Sequence, residues 1–233
     1  MPLVKAEPFL WRGRAVAGLL FDMDGTMADT KELHADAWDA WRVRHGITLD
    51  RHHYLTEFFG RSNIEVLQEL FPAKAHDREH LRRVGMEKEW EVVDLVKAKG
   101  LPPIAGLHDF VRRAAARGIP MAVASSAPRD NVDAIVDCFG LRDSFVALFS
   151  MDDVEHTKPH PEAFLKAAAA MGVPAGECVV LEDSLHGLHA AEACGARAIG
   201  FATLHDREHL APLCDQVVAD YNELLASAGW AEL

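Results

Sequence analysis

Short apolar runs alternate along this chain with longer stretches in which apolar positions recur every three or four residues. The short runs are rich in Val, Ile, Leu and Ala and predict β-strands at 16–21, 121–125, 148–150, 178–182, 197–201 and 216–218. The periodic stretches between them predict helices, and glycine sits where several must stop: Gly118 after 107–117, Gly172 after 161–171, Gly195 after 185–194. Such alternation is the pattern of a doubly wound, Rossmann-like α/β fold, a parallel sheet with helices on both faces.

About a hundred residues separate the first two predicted strands, far more than one crossover needs. Their pattern is helical throughout, so an inserted α-helical cap domain is expected at 33–99, with 1–32 and 100–233 forming the α/β core. Asp29 and Glu32 have capping-box spacing at the start of a helix running to about His45, and Ser62 and Glu65 repeat it for a second running to about Leu70. A third helix is expected over 77–99, where Gly100, Pro102 and Pro103 end it and return the chain to the core. The two crossings, 28–31 and 99–104, are the expected hinges.

At 233 residues and 49% hydrophobic, the chain can bury a full core. It contains no run of eighteen apolar residues, and the apolar stretch after Arg12 and Arg14 is too short for a leader, so a soluble, cytoplasmic monomer is expected. Cys138, Cys178, Cys194 and Cys214 show no metal or disulfide spacing and read as buried, reduced thiols. The net charge of −12, from 36 acidic and 24 basic residues, argues against nucleic-acid and membrane partners. It also means that an anionic ligand would bind only where a metal ion or a few local cations reverse the field.

Four predicted strand ends carry candidate chemistry. The first strand ends in Asp22-Met23-Asp24-Gly25-Thr26, whose carboxylates at i and i+2 share one face where ligands bind in such sheets. A plain Asp-Gly turn is the alternative. The second ends in Ser125-Ser126, a place for phosphate oxygens at a helix start or simply a cap. After the third comes Lys158-Pro159, a cation held in an extended segment by proline or a solvated surface lysine. The fourth ends in Glu182-Asp183-Ser184, two acids that are either ligands or an N-cap.

In that order, Asp-x-Asp, Ser, Lys-Pro and Glu-Asp resemble the motifs of the haloacid dehalogenase superfamily across essentially the whole chain. The segment 22–46, with Thr30, His34 and Trp38, is most similar to the β-phosphoglucomutase-like branch and its related sugar-phosphate phosphatases. The resemblance implies hydrolysis of a small phosphorylated metabolite, a sugar phosphate above all, through an aspartyl-phosphate on Asp22. Asp24 would serve as acid and then base. Mg²⁺ would be held by Asp22, the Asp24 carbonyl and Asp183, with Glu182 binding through or orienting a water. Ser125 and Lys158 would balance the charge of the transferring phosphoryl group. An acid at Asp24 excludes the phosphonate-cleaving and dehalogenating branches.

On the substrate side the candidates are Ser126, His34, Arg61 and Arg129. Trp38, Trp41, Tyr54, Phe58 and Phe59 are either contacts or core. Aligned on Gly60, the position at which the mutases grip a second phosphate with arginine is Asn63, and the serine they carry two residues beyond Ser125 is Ala127 here. Both departures favour a hydrolase over a mutase. Two readings of other classes stand beside this one. The hexapeptide His-Asp-Arg-Glu-His-Leu, at 76–81 and again at 205–210, fits the zinc-peptidase pattern H-x-x-E-H, with His205 its testable ligand, but equally describes polar helix faces. A catalytically idle fold that binds phosphorylated ligands is the other.

Overall fold

The computed structural model describes residues 9–58 and 61–233; Phe59 and Gly60, both used above, lie outside the described residues. A hairpin of β1 (Leu10–Trp11) and β2 (Arg14–Ala15) precedes β3 (Gly18–Phe21). Among the described residues four α-helices follow, α1 (Lys31–His45), α2 (Arg51–His53), α3 (Asn63–Leu70) and α4 (Arg78–Lys99), with a π-helical turn at Tyr54–Phe58 after α2 and a 3-10 turn at Pro72–Lys74 after α3. Then come α5 (Leu107–Ala116), β4 (Met121–Ala124), α6 (Arg129–Cys138), β5 (Ala147–Phe149), α7 (Glu162–Met171) and β6 (Cys178–Glu182). The chain closes with α8 (Leu185–Ala193), β7 (Arg197–Phe201), α9 (Arg207–Leu210), β8 (Gln216–Val218) and α10 (Tyr221–Ala226).

Among the described residues the main sheet has six parallel strands in the order β5-β4-β3-β6-β7-β8. This is the expected doubly wound fold. Alternation along β3 divides the core: Leu19 and Phe21 join the cluster built with α5, α6 and α10, whereas Leu20 joins the one built with α7 and α8. Connections leave β3 toward β4 on one side and return to β6 on the other, so the sheet reverses its winding beside β3. Crevices at such reversals open at the carboxyl ends of the strands.

The helices between β3 and β4 have an apolar cluster of their own, in which Trp38, Trp41, Tyr54 and Phe58 are buried with Val66, Leu67, Leu81 and Val84. These aromatics are therefore core; the Trp41 indole N–H donates to the Val84 carbonyl at 3.2 Å. Ser62 forms the expected capping box with Glu65. Asp29 and Glu32 do not: Thr30 is the N-cap of α1, Asp29 accepts from the Lys31 N–H at 3.2 Å, and Glu32 pairs with Arg51 at 2.6 Å. The two crossings are tied to one another, Ala28 bridging to both Asp24 and Pro103, and the Ile104 N–H reaching the Met27 carbonyl at 2.8 Å.

Smaller corrections have local causes. β3 begins at Gly18 rather than at residue 16, because the Val16 and Ala17 amides bond to Phe9 and Glu177, outside the ladder. All four cysteines are free, but Cys138 is exposed and only Cys178 is buried. No helix among the described residues is long and apolar enough to cross a membrane.

Candidate active site

Strand register assembles the site. Phe21 pairs with Leu181 on one side and Val123 on the other, so one residue beyond stand Asp22 and Glu182, and just past β4 lies Ser125. The Asp22 amide still bonds to the Leu181 carbonyl, at 3.0 Å, which fixes its carboxylate at the strand tip. Gly25 then turns the chain with φ +77°; a Cβ there would lie 1.8 Å from an Asp183 oxygen, so only glycine permits this approach. Thr203, unremarked in the sequence, donates its hydroxyl to the Gly25 carbonyl at 2.6 Å and to Asp183 at 3.3 Å.

Lys158 is drawn fully into this cluster. Its Nζ donates to Asp22 Oδ1 at 2.5 Å and to Glu182 Oε1 at 2.7 Å, with its side chain only 4% exposed, so the solvated alternative fails. The Lys158–Pro159 bond is cis. Glu182 is held from behind by the Ser184 N–H at 2.7 Å and hydroxyl at 2.9 Å, while Ser184 itself caps α8. A Cβ on Gly187 would overlap the Glu182 carboxylate, another close approach that glycine allows.

Electrostatics follow from burial. Desolvation, reinforced by Glu182, pushes the Asp22 carboxyl well above the usual carboxylate range, and Lys158 offsets part of this. Asp183 is raised likewise by burial and by Glu182 and Asp22. Burial works against the Lys158 charge, but the two carboxylates outweigh it and hold the ammonium above its ordinary pKa. Asp22, Glu182 and Asp183 each offer an oxygen within 4.8 Å of the others. Three buried carboxyls share one ammonium, and an all-oxygen donor set of that kind suits a hard divalent cation, whose charge would favour their ionised form.

Asp24, two residues from Asp22, is in a different setting, with its side chain one-third exposed. Crowding by protein would raise its pKa, but hydrogen bonds from His34 and Thr30 prevail and hold it below the ordinary carboxylate value. His34 Nε2 lies 3.3 Å from Asp24 Oδ1, and His34 Nδ1 lies 2.6 Å from Lys88 Nζ. An ammonium can only donate, so Nδ1 accepts and Nε2 carries the proton directed at Asp24. Lys88 continues to Glu89 at 3.0 Å, and Glu89 also accepts from Asn63 at 2.6 Å and from Asn131 on α6. Burial opposes ionisation of Glu89, yet the Lys88 ammonium and the Asn63 hydrogen bond bring it down to about 2. A buried polar chain thus runs from Asp24 through α1 and α4 to the first turn of α6.

Ser125 is buried, its hydroxyl accepting the Ala127 N–H at 3.0 Å, and Ser126 is exposed in the turn toward α6. Two predicted substrate residues have other partners. Arg129 donates its guanidinium to Asp153 and the Leu148 carbonyl and its amide to Asp152. Arg61 stands in the bend before α3 and folds back onto that helix, bonded to Glu69 at 3.1 Å and over the Phe58 ring. The repeated hexapeptide contributes to neither group of three converging metal-ligating side chains found among the described residues. Its first copy instead starts α4, with Asp77 accepting the His80 N–H at 3.1 Å.

A family model described as haloacid dehalogenase-like hydrolase matches residues 16–195. The chain is 33% identical over 183 residues to the fructose-1-phosphate phosphatase YqaB of Escherichia coli (strain K12), an alignment covering 78% of this chain and 95% of that protein. It is 30% identical over 193 residues to hexitol phosphatase B of the same strain, covering 80% and 83%. The crystal structure of CbbY from Rhodobacter sphaeroides in complex with phosphate has a TM-score of 0.79 to this fold at 27% identity, over 94% of this chain and 100% of that one.

Proposed function

The chain belongs to the haloacid dehalogenase-like hydrolases, and on that premise we propose that it is a Mg²⁺-dependent phosphatase of sugar or polyol monophosphates working through a phosphoryl-enzyme on Asp22. The observation that carries this is the convergence of Asp22, Lys158, Glu182 and Asp183 at one sheet edge, with Asp24 two residues from Asp22 in a separate hydrogen-bonded setting.

In the first half-reaction an Asp22 oxygen attacks phosphorus, the bond from phosphorus to the ester oxygen breaks, and Asp24, carrying the proton it took from water in the preceding turnover, gives it to the departing alkoxide. In the second, Asp24 as carboxylate takes a proton from water, the water oxygen attacks the same phosphorus, and the bond to Asp22 breaks, releasing inorganic phosphate. Lys158 and Ser125 offset the charge spread over the phosphoryl oxygens. Asp22, the Asp24 carbonyl and Asp183, with Glu182 behind a water, would hold the ion, which when bound supplies the positive charge that keeps Asp22 ionised and draws a phosphate into an acidic protein. Residues 33–99 act as the cap over this site.

Hydrolysis is favoured over mutase chemistry by Glu89. A mutase must hold a second phosphate, yet the Asn63 amide is bonded to a buried, ionised Glu89 that would repel one. The names of the two phosphatase relatives, which specify a ketose phosphate and hexitol phosphates, point to the proposed substrate class.

Phosphate release from a panel of hexose, ketose and hexitol phosphates, with Mg²⁺ or EDTA, tests this. We expect release that needs both Mg²⁺ and Asp22, and no activity in Asp22→Asn. Conversion of phosphoglucose isomers without release would establish a mutase instead, and binding without turnover would leave a binding protein.

A further inference from the structure

The second group of converging ligands lies on the loop that presents Lys158. His156 and His160 flank that lysine, and Glu162 opens α7; each offers one ligand atom within 4.8 Å of the others. The two imidazoles stand side by side, ring centres 4.7 Å apart. His156 Nδ1 is 3.3 Å from Glu162 Oε2. Tetrahedral zinc, with bonds of about 2.0–2.2 Å to nitrogen and oxygen, spaces its ligands about 3.4 Å apart, so one edge of such a site already has the right length.

Glu162 is preorganised for the purpose. It accepts the Glu155 and His156 amides, both at 3.0 Å, and Lys166 at 2.7 Å, with the lysine on Oε1 and the His156 amide on Oε2. A metal would replace only the proton shared between His156 Nδ1 and Oε2. Both histidines are exposed, leaving a path for entry and room for a water as fourth ligand.

We propose that His156, His160 and Glu162 form a second cation site, selective for a borderline divalent metal such as Zn²⁺ and chemically distinct from the all-oxygen cluster at Asp22 and Asp183. Imidazole donors give the selectivity, because Mg²⁺ prefers oxygen and retains its waters. Occupancy ties the chain on both sides of Lys158, the residue whose ammonium reaches Asp22.

The test is calorimetric titration of Zn²⁺ into the full chain, stripped with chelator and held in excess Mg²⁺. We expect one equivalent that is lost in His156→Ala and in His160→Ala and kept in Asp183→Asn. The chain has 13 histidines, so the readout is the difference between variants, with thermal midpoints confirming that each is folded. Equal binding by wild type and both histidine variants, no binding by the wild type, or loss of the equivalent in Asp183→Asn instead would overturn the proposal.

Discussion

Replacing Lys158 by methionine keeps most of the side-chain volume and removes the one cation inside the carboxylate cluster. Its ammonium touches two acids, at 2.5 and 2.7 Å, with almost no solvent access. Breaking a buried pair by removing one partner costs about 3–5 kcal/mol, because the other charge is left uncompensated. Lysine pKa is raised in the fold, so its contribution is fully present at neutral pH and would be lost only on strongly alkaline titration. Asp22 and Asp183 have the opposite dependence: their folded pKa values are raised, so ionising them destabilises the protein, and stability is regained as pH falls through those values. Without Lys158, Asp22 moves higher still. Chemical unfolding of Lys158→Met in EDTA should therefore show a deficit of about 3–5 kcal/mol near neutral pH that shrinks as pH falls toward the ordinary carboxylate range. Turnover with Mg²⁺ should fall by about 10²–10³, the usual effect of deleting one electrostatic stabiliser of a transition state. A deficit under about 1 kcal/mol, typical of a surface pair, or one that does not change with pH, would refute this view of the cluster.

Three further substitutions probe other parts of the site. Asp24→Asn removes the proposed acid and base but spares the backbone carbonyl, so turnover of sugar phosphates should drop by about 10²–10⁴; steady-state assays should show a smaller loss with aryl esters, whose leaving groups need no proton. Gly25→Ala puts a methyl against Asp183 at a positive φ; beyond a backbone penalty of about 1–2 kcal/mol in thermal unfolding, it should raise the Mg²⁺ concentration needed for activity. Glu89→Gln removes the anion from α4, and kcat/KM for a sugar bisphosphate relative to its monophosphate should rise about tenfold, the equivalent of about 1.4 kcal/mol. An unchanged ratio would mean that Glu89 does not shape selectivity.

Much of the fold was legible because it depends on local pattern. Strand runs, glycine stops and the Ser62 capping box are short-range features, and the core motif residues lie at strand tips, where chain order and spatial order agree. Lys158 could be named from the sequence, but its burial between Asp22 and Glu182 depends on residues 136 and 24 positions away. The Lys88–Glu89 pair was missed because it lies in a charged run that reads as a solvated face. The signal was nevertheless present: Leu81, Val84, Gly85, Lys88, Glu89, Val92, Val93 and Val96 form the buried stripe of α4 at helical spacing, with two charges inside it, while neighbouring Trp90 is 51% exposed. Charges at core positions of an amphipathic helix mark a buried polar network. Arg61 and Arg129 illustrate the converse: an arginine near a cleft in sequence has acidic neighbours that only the folded chain brings to it.

The claim on which all of this rests is that phosphorus passes through Asp22 rather than directly to water. It is tested most directly by the stereochemical course of hydrolysis of a sugar phosphorothioate, using sulfur and oxygen isotopes to make the released thiophosphate chiral. Two successive in-line displacements, onto Asp22 and then onto water, predict retention of configuration at phosphorus. Inversion would mean a single displacement by water, with Asp22 serving at most as a metal ligand.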